Sequence, residues 1–425
     1  MKKTKIVATI GPASEKKETL IKMIRAGMNV CRLNFSHGDY SWHKKAIKTI
    51  REAEKETRRK IGIMADIQGP RIRVANHKAI KVAEGEEVFL TDERNEKHEK
   101  FDKEIVFDWN GFYEHLKTGK KVFIEDGAIL LETIKRYPKG NAAKVLVGGV
   151  VEPHKGVNIP SVSKHLGFLT EKDLRDLEFI MSQDIDFISA SFVANGKDIR
   201  DLRRIIDHLK LNDNTELHKI ISRSVRKKEK IEKSEPWIIS KVERKKAIRN
   251  IDSIIRESDG IMVARGDLAI ETAQEKVAIY QKNIITKCRK AKKPVIVATQ
   301  MMASMVESSR PTRAEIADVT NTVIDNADAV MLSGESANGK FPVETVETMK
   351  KIVKTVEDSP FNDVKLDKRS KAGREFAKNK EKIKKVKKME TAVVYSSLRQ
   401  EEFVISLDTK DADLKRKATI VWGVR

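Results

Sequence analysis

The chain has little cysteine, few aromatic residues and no long apolar run. Its 425 residues include two cysteines, Cys31 and Cys288, which cannot form a disulfide framework, so the sequence predicts a reduced, cytoplasmic protein. No apolar stretch approaches the roughly 18 residues that cross a bilayer. Near the N-terminus the apolar stretch IVATI is shorter than the roughly 7-residue core of a signal peptide, and we interpret it as a first strand.

Length and composition allow one large domain with one or two smaller ones, and 40% hydrophobic residues suffice for a sizeable core. The net charge of +22 makes nucleic acid a candidate partner. Two basic runs, residues 219–233 and 365–388, contribute much of this charge. They contain no Tyr or Trp, and Phe376 is their one aromatic residue, so they lack the stacking residues of a single-strand RNA platform. Solvated helices or linkers are therefore favoured, with RNA or another polyanion as the alternative.

Eight short apolar runs alternate with segments whose apolar residues recur at three- and four-residue spacing. This alternation of strand and helix is the signature of an α/β protein built as a (β/α)8 TIM barrel. The predicted strands are residues 5–10, 29–35, 61–67, 187–193, 237–243, 260–266, 294–300 and 329–335.

Two connections are too long for a plain barrel. Residues 74–158 alternate strand-like runs with turns, which predicts an inserted small β-barrel domain that could act as a lid. Residues 208–236 form a second, basic insertion of unpredicted fold. We therefore expect a barrel over residues 1–73 and 159–355, the lid over 74–158, and a short, truncated C-terminal α/β domain with a basic linker over 356–425.

Charged and polar residues follow most of the predicted strands at their carboxyl ends. Lys241 and Glu243 close one run, and Arg265 and Asp267 close another. Charge at the end of a buried strand is unfavourable unless it is paired or used, and active sites of α/β barrels lie at this end. Convergence of six such ends on one rim favours a functional site over mere solvation. Arg32, Arg73 and Lys241 suit a phosphorylated substrate, and the two carboxylates suit Mg²⁺ or Mn²⁺.

Seven motifs, in order and in spacing, resemble those of the pyruvate kinase family across roughly residues 1–355. They are TIGPAS (9–14), RLNFSHG (32–38), KGVNIP (155–160), SDGIMVARGDL (258–268), ATQMM (298–302), RPTRAE (310–315) and DAVMLSGESANGKFPVE (328–344). The resemblance implies a barrel with a mobile lid and a C-terminal α/β domain. It also implies phosphoryl transfer from phosphoenolpyruvate to ADP in glycolysis, giving pyruvate and ATP.

The resemblance implies site roles by matching position. Glu243 and Asp267 would hold the divalent ion, and the backbone N–H groups of Gly266 and Asp267, with the Thr299 hydroxyl, would bind the substrate carboxylate. Arg32 and Lys241 would contact the phosphoryl group, which makes Lys241, Thr299 and Arg32 the predicted catalytic residues. The predicted nucleotide-binding residues are Arg73, His37 and Asn34, and the family's monovalent-cation ligands match Asn34, Ser36 and Asp66.

Departures from the family pattern carry expectations of their own. Residues 66–73 read DIQGPRIR, so that Arg71 replaces the glutamate of potassium-dependent members and Ile67 a threonine. A guanidinium beside the phosphates could supply the charge of K⁺, so we expect activity without K⁺. Because the C-terminal domain that forms a subunit contact in the family is short here, we expect either a homodimer or a homotetramer.

Two other functions stay open at this stage. A catalytically weakened pyruvate kinase relative could serve as a binding protein, for RNA through its basic runs. Another barrel that uses phosphoenolpyruvate or a keto acid, such as a lyase or a mutase, is the second alternative. Salt-dependent RNA retention without turnover would favour the first, and product formation without ADP the second.

Overall fold

A computed structural model of the chain describes residues 2–92, 99–160, 167–211, 235–362, 370, 373–374, 383–399 and 404–424. The basic run 219–233 lies outside the described residues, as does most of the run 365–388, so the predictions made for them stay predictions. The chain forms two compact units. One comprises residues 1–68, 171–265 and 278–425, and the other comprises residues 69–170 and 266–277.

Eight parallel strands of the first unit close into a barrel, as the sequence predicts. In chain order they are β1 (Lys5–Thr9), β2 (Val30–Asn34), β3 (Gly62–Asp66), β4 (Phe187–Ala190), β5 (Trp237–Val242), β6 (Gly260–Ala264), β7 (Val295–Ala298) and β8 (Ala329–Leu332). Each strand pairs with its neighbours in sequence, and β8 pairs with β1 through registers such as Lys5 with Ala329. Their near-continuous burial explains the apolar runs, because both faces of a parallel sheet are covered.

Most strands end before the predicted runs end. The run at 187–193 leaves the strand after Ala190, and Phe192 adopts a left-handed backbone with φ 57°. Thr299 and Gln300, with φ of 71° and 53°, likewise follow β7 as a turn. These polar or turning residues belong to the rim of the barrel rather than to its wall, which is why they can carry chemistry.

Helices with one apolar face alternate with the strands. They are α1 (Lys17–Ala26), α2 (Tyr40–Thr57), α3 (Glu171–Met181), α4 (Gly196–Leu211), α5 (Lys245–Arg249), α6 (Ile251–Glu257), α7 (Arg265–Glu271), α8 (Val277–Ala291), α9 (Arg313–Ile324), α10 (Gly334–Ala337) and α11 (Pro342–Glu357). Local sequence sets their ends: Asp39 caps α2 by accepting the Trp42 N–H, and Thr312 with Glu315 forms a capping box on α9. Among the described helices, none is both long and apolar enough to span a membrane.

The C-terminal segment packs on the amino ends of the barrel strands. Strands Ile383–Val386 and Val404–Leu407 pair in parallel, and helices α12 (Met389–Ser396) and α13 (Ala412–Lys417) follow them. Side chains of this segment share one apolar core with the barrel interior, where Ile405 and Ile420 meet residues such as Phe187. Residues 278–425 therefore belong, where described, to the same compact unit as the barrel.

A partly buried network of ion pairs ties α13 to the barrel. Arg51 on α2 donates to Asp184 and Asp186 at 2.6 and 2.7 Å, and Arg416 on α13 approaches the same two carboxylates. Asp184 and Asp186 precede β4, so they lie at the end of the barrel opposite the predicted site. Together with Asp413 they form an acidic cluster, but its arginine partners give it a structural explanation.

The second unit is a curled β-sheet with its own apolar core. Its seven-stranded order is Ile72–Arg73, Gly156–Asn158, Lys121–Ile124, Ile129–Tyr137, Gly140–Val147, Glu87–Asp92 and Glu104–Phe107. A single bridge between Val74 and Phe107 joins the two ends of this order, so the sheet closes on itself there. A two-stranded sheet, Ile80–Val82 with Gly149–Val151, and the short helix Phe112–His115 complete the unit.

Candidate active site

The carboxyl ends of β2 and β3 bring the first predicted site residues together. Arg32 of β2 donates from Nε and Nη2 to Asp66 Oδ2 at 2.7 and 2.5 Å, and from Nη1 to the Thr9 hydroxyl at 2.9 Å. The register explains the contact, because Asn34 of β2 lies opposite Asp66 of β3 and Arg32 lies two residues before Asn34 on the same face. The guanidinium is therefore fixed by charge-assisted hydrogen bonds from two strands.

Lys241 of β5 lies between two buried carboxylates. Its ammonium is 3.3 Å from Asp66 Oδ1 and 2.8 Å from Glu243 Oε1, and it donates to the Ser191 hydroxyl at 2.8 Å. Ser191 in turn donates to the carbonyl of Ile67 at 2.6 Å. Three partners match the three N–H bonds of an ammonium group, so Lys241 is held in a defined position.

Glu243 directly follows β5, and 1% of its surface is exposed. While Oε1 pairs with Lys241, Oε2 accepts the backbone N–H of Phe192 at 2.6 Å. Both oxygens thus have fixed partners, and the carboxylate points toward the ends of β4 and β5.

The charges of this cluster alternate in sign. Arg32, Asp66, Lys241 and Glu243 form a chain in which each charge contacts one of opposite sign. Burial alone would raise the pKa of Asp66, but Lys241 and Arg32 more than offset it and hold that pKa below its ordinary value. Asp66 is therefore ionised at neutral pH, and the two cations are kept apart by it.

The end of β2 and the loop after it carry three of the residues predicted for nucleotide or monovalent-cation binding: Asn34, Ser36 and His37. Asn34 Oδ1 accepts the backbone N–H of Ser36 at 3.1 Å. The carbonyl of His37 accepts from the ring of His43 at 3.0 Å, and that ring stacks on Phe35 with centroids 4.0 Å apart. The buried His43 thus supports the loop from beneath.

Thr299 is held by Arg265, which the sequence analysis noted as a charge at a strand end but gave no role in the site. Arg265 donates to the carbonyls of Thr299 and Gln300 at 2.8 and 3.2 Å, and it is anchored by Asp318 at 2.7 Å. These contacts hold two consecutive residues with positive φ, a conformation that is unfavourable for side chains other than glycine.

The remaining predicted residues belong to the second unit. Arg71 lies 3.8 Å from Asp267 Oδ1, and the Asn158 amide is 3.4 Å from the same oxygen. A Cβ on Gly156 would come within 2.4 Å of Arg71 Nε, so this glycine makes room for the guanidinium. Arg73 donates to the carbonyl of His154 at 2.8 Å. Gly266 and Asp267 lie in the first turn of α7, where the chain passes out of the barrel unit.

The structure therefore divides the predicted set between the two units. The barrel unit holds Arg32, Asn34, Ser36, His37, Asp66, Lys241, Glu243 and Thr299, and the second unit holds Arg71, Arg73, Gly266 and Asp267. Direct contacts join Arg32, Asp66, Lys241 and Glu243 in the first and Arg71 with Asp267 in the second.

Three residues of the rim were missed by the sequence analysis: Thr9, Ser191 and Phe192. Thr9 ends β1, and Ser191 and Phe192 follow β4, two strands to whose carboxyl ends the sequence analysis assigned no site residue. The polar Thr9 and Ser191 at those ends were the available signal. The contact of Arg265 with a turn 34 residues away had no such signal.

Comparison with known proteins gives one consistent result. The family description "Pyruvate kinase, barrel domain" matches residues 1–233 and 215–346. The protein named pyruvate kinase from Bacillus licheniformis is 40% identical over 376 residues, which is 87% of this chain. Its counterparts from Geobacillus stearothermophilus and Staphylococcus saprophyticus are 42% and 38% identical over 84% and 100% of this chain.

This chain spans only part of the length of these relatives. The matched region covers 60% of the Bacillus licheniformis protein, 57% of the Geobacillus stearothermophilus protein and 71% of the Staphylococcus saprophyticus protein.

His43 gives the barrel a stability that depends on pH. Burial lowers the pKa of His43 to about 4, against an ordinary value of 6.5. Below pH 6.5 this histidine is protonated in the unfolded chain, whereas in the folded chain it stays neutral down to about pH 4. The unfolded state is therefore favoured as the pH falls, and stability present at pH 7 is lost. We expect the wild type to lose about 2 kcal/mol of unfolding free energy from this group between pH 7 and pH 5.

Urea unfolding at the two pH values, followed by circular dichroism, measures this loss. The His43→Gln variant should lose less than the wild type over the same interval, by roughly the same 2 kcal/mol. His208→Gln, at an exposed position on α4, is the matched control and should follow the wild type. An equal loss in wild type and His43→Gln would contradict the assignment.

Proposed function

This chain belongs to the pyruvate kinase family, and from that premise we propose that it transfers the phosphoryl group of phosphoenolpyruvate to ADP, giving pyruvate and ATP. One observation of the barrel carries the proposal. Lys241 and Arg32 present two cations at the strand ends, both held by Asp66. Such a fixed pair suits a phosphoryl group whose charge is spread over three oxygens.

Substrate binding would replace some of the ion pairs among Arg32, Asp66, Lys241 and Glu243. Phosphoryl oxygens compete with Asp66 and Glu243 for the ammonium of Lys241 and with Asp66 for Arg32. The cations need not move far, because Lys241 still donates to the Ser191 hydroxyl and Arg32 to the Thr9 hydroxyl. Positioning of this kind accounts for much of phosphoryl-transfer catalysis.

After transfer, an enolate of pyruvate remains and must take up a proton at carbon. Lys241 stabilises the negative oxygen of this enolate by its charge. Thr299 lies on the proposed proton route, with a water between its hydroxyl and the carbon. Its hydroxyl now donates to the carbonyl of Ala298 at 2.6 Å, and Arg265 fixes its backbone. The backbone N–H groups of Gly266 and Asp267 complete the proposal by binding the substrate carboxylate.

Glu243 and Asp267 are the proposed holders of Mg²⁺ or Mn²⁺. Each is a hard oxygen donor whose present partner is a cation, Lys241 for Glu243 and Arg71 for Asp267, so the donor set fits a divalent ion. When bound, the ion would neutralise negative charge on the phosphoryl group and on the enolate. The protein residues orient the substrate and exclude alternative geometries.

The finer assignments are part of the same proposal. Arg73, His37 and Asn34 orient ADP, and the second unit serves as the lid. Assembly as a homodimer or homotetramer and a cytoplasmic location are proposed as well. The two cysteines support the location, since both are buried and unpaired as thiols, as expected in a reducing compartment.

Activity without K⁺ is proposed from Arg71. Asp66 gives both of its carboxylate oxygens to Arg32 and Lys241, and Asn34 gives its side-chain oxygen to Ser36. Asp66 is thus already paired with two fixed cations, which lowers its attraction for a further monovalent cation. At 4 Å and an effective dielectric constant near 20, a fixed guanidinium attracts a unit negative charge by about 4 kcal/mol, so Arg71 can supply the charge of K⁺.

The first prediction for this function concerns Lys241. Pyruvate formation from phosphoenolpyruvate with Mg²⁺ should require ADP in the wild type, and Lys241→Met should lower kcat by about 10²–10³-fold, because the cation that meets developing charge is removed. Lys245→Met removes an exposed lysine from α5 nearby and is the matched control, with activity close to wild type.

The other outcomes of this experiment discriminate between functions. Product formed equally without ADP would favour a lyase or mutase and reject a kinase. A folded wild type with no turnover would reject the proposed activity itself.

The second prediction concerns K⁺. Wild-type turnover should be unchanged when tetramethylammonium is replaced by K⁺ at fixed ionic strength, and Arg71→Lys should behave in the same way. Arg71→Glu removes the fixed cation and restores a carboxylate, so its turnover should rise several-fold with K⁺. A several-fold rise with K⁺ in the wild type would refute the assignment.

A further inference from the structure

Arg244 is a buried arginine directly after the proposed metal ligand Glu243. Its surface is 4% exposed, and its guanidinium carbon lies 4.7 Å from the centroid of the Phe192 ring. The residue also begins α5, where its carbonyl accepts the N–H of Ala247 at 3.0 Å. A desolvated guanidinium over an aromatic face is a stabilising contact.

Phe192 has an unfavourable backbone that needs such support. Its φ of 57° is in the left-handed region, which bulky side chains rarely adopt. This conformation directs its backbone N–H to Glu243 Oε2 at 2.6 Å. Strain of this kind persists at functional sites when neighbouring contacts over-determine it. The contacts on the two sides of Phe192 are Glu243 on the backbone and Arg244 on the ring.

Resting on the proposed divalent-ion role of Glu243, we propose that Arg244 is a positioning residue for that carboxylate. By packing on the ring, Arg244 holds the strained backbone of Phe192 in place. The N–H of Phe192 then fixes one oxygen of Glu243, and this sets the orientation of the other oxygen. Residues that orient a metal ligand through hydrogen bonds commonly change metal affinity by about 10–100-fold when they are removed.

The sign of the effect separates this role from simple electrostatics. Arg244 adds a positive charge next to a carboxylate that binds a divalent cation, so removing only its charge should strengthen ion binding. Loss of its support for Phe192 should instead weaken ion binding, because Glu243 loses a fixed hydrogen-bond donor. The two explanations predict opposite changes for the same variant.

Mn²⁺ binding to the full chain without substrate, measured as the loss of the free-ion signal in electron paramagnetic resonance, tests the proposal. Arg244→Leu should weaken Mn²⁺ binding by about tenfold. Phe192→Leu should weaken it by a similar factor, and the double variant should be no weaker than either single one, since both changes break the same support. Arg244→Lys keeps a cation that can lie over the ring and should restore part of the affinity. Lys245→Gln, an exposed change of charge in the same helix, should match the wild type.

The outcomes distinguish failure of the positioning role from failure of the proposed metal site. Unchanged or stronger Mn²⁺ binding by Arg244→Leu, or additive losses in the double variant, would overturn the positioning role while the wild-type site stands. Absence of Mn²⁺ binding by the wild type would overturn the proposed metal site and the positioning role with it. Circular dichroism spectra and urea midpoints of the variants identify any loss that is due to unfolding, and the partial rescue by Arg244→Lys would not accompany a merely structural defect.

Discussion

The ammonium of Lys241, shared between the carboxylates of Asp66 and Glu243, is the interaction on which the rest of the site depends. Three buried or nearly buried charges meet there, and each would be unfavourable alone. Arg32 extends the chain on the other side of Asp66. Because the charges alternate, each of the four groups contacts a group of opposite charge inside the rim of the barrel. The fold thus places two cations and two carboxylates in contact at the carboxyl ends of β2, β3 and β5.

The rim supports this charged chain with a strained backbone. Phe192 and Thr299 both have positive φ, and in each case a side chain on another strand end holds the turn: Glu243 accepts from Phe192, and Arg265 donates to Thr299. The strain therefore serves to direct backbone groups into the site. Within the eight described barrel strands, by contrast, no residue has a positive φ.

The eight strands could be predicted from the sequence because each is an apolar run that is buried on both faces. The charged residues after β3 and β5 could be predicted for the same reason, since charge after such a run is conspicuous. Thr9 and Ser191 were missed because a hydroxyl at a strand end looks like ordinary solvation. Arg265 and the contact of Arg244 with Phe192 depend on which strand ends are neighbours and on local backbone angles, and a single sequence specifies neither.

The measurement that tests the central claim most directly is kcat/KM for phosphoenolpyruvate in the Asp66→Asn variant. Asp66 has no proposed contact with the phosphoryl group, and the substitution keeps its shape while removing the charge that holds Arg32 and Lys241 in place. We expect a loss of at least about 10²-fold with the fold intact, because both cations lose their shared partner. A value within threefold of wild type would contradict it, since the two cations would then be positioned without the carboxylate between them.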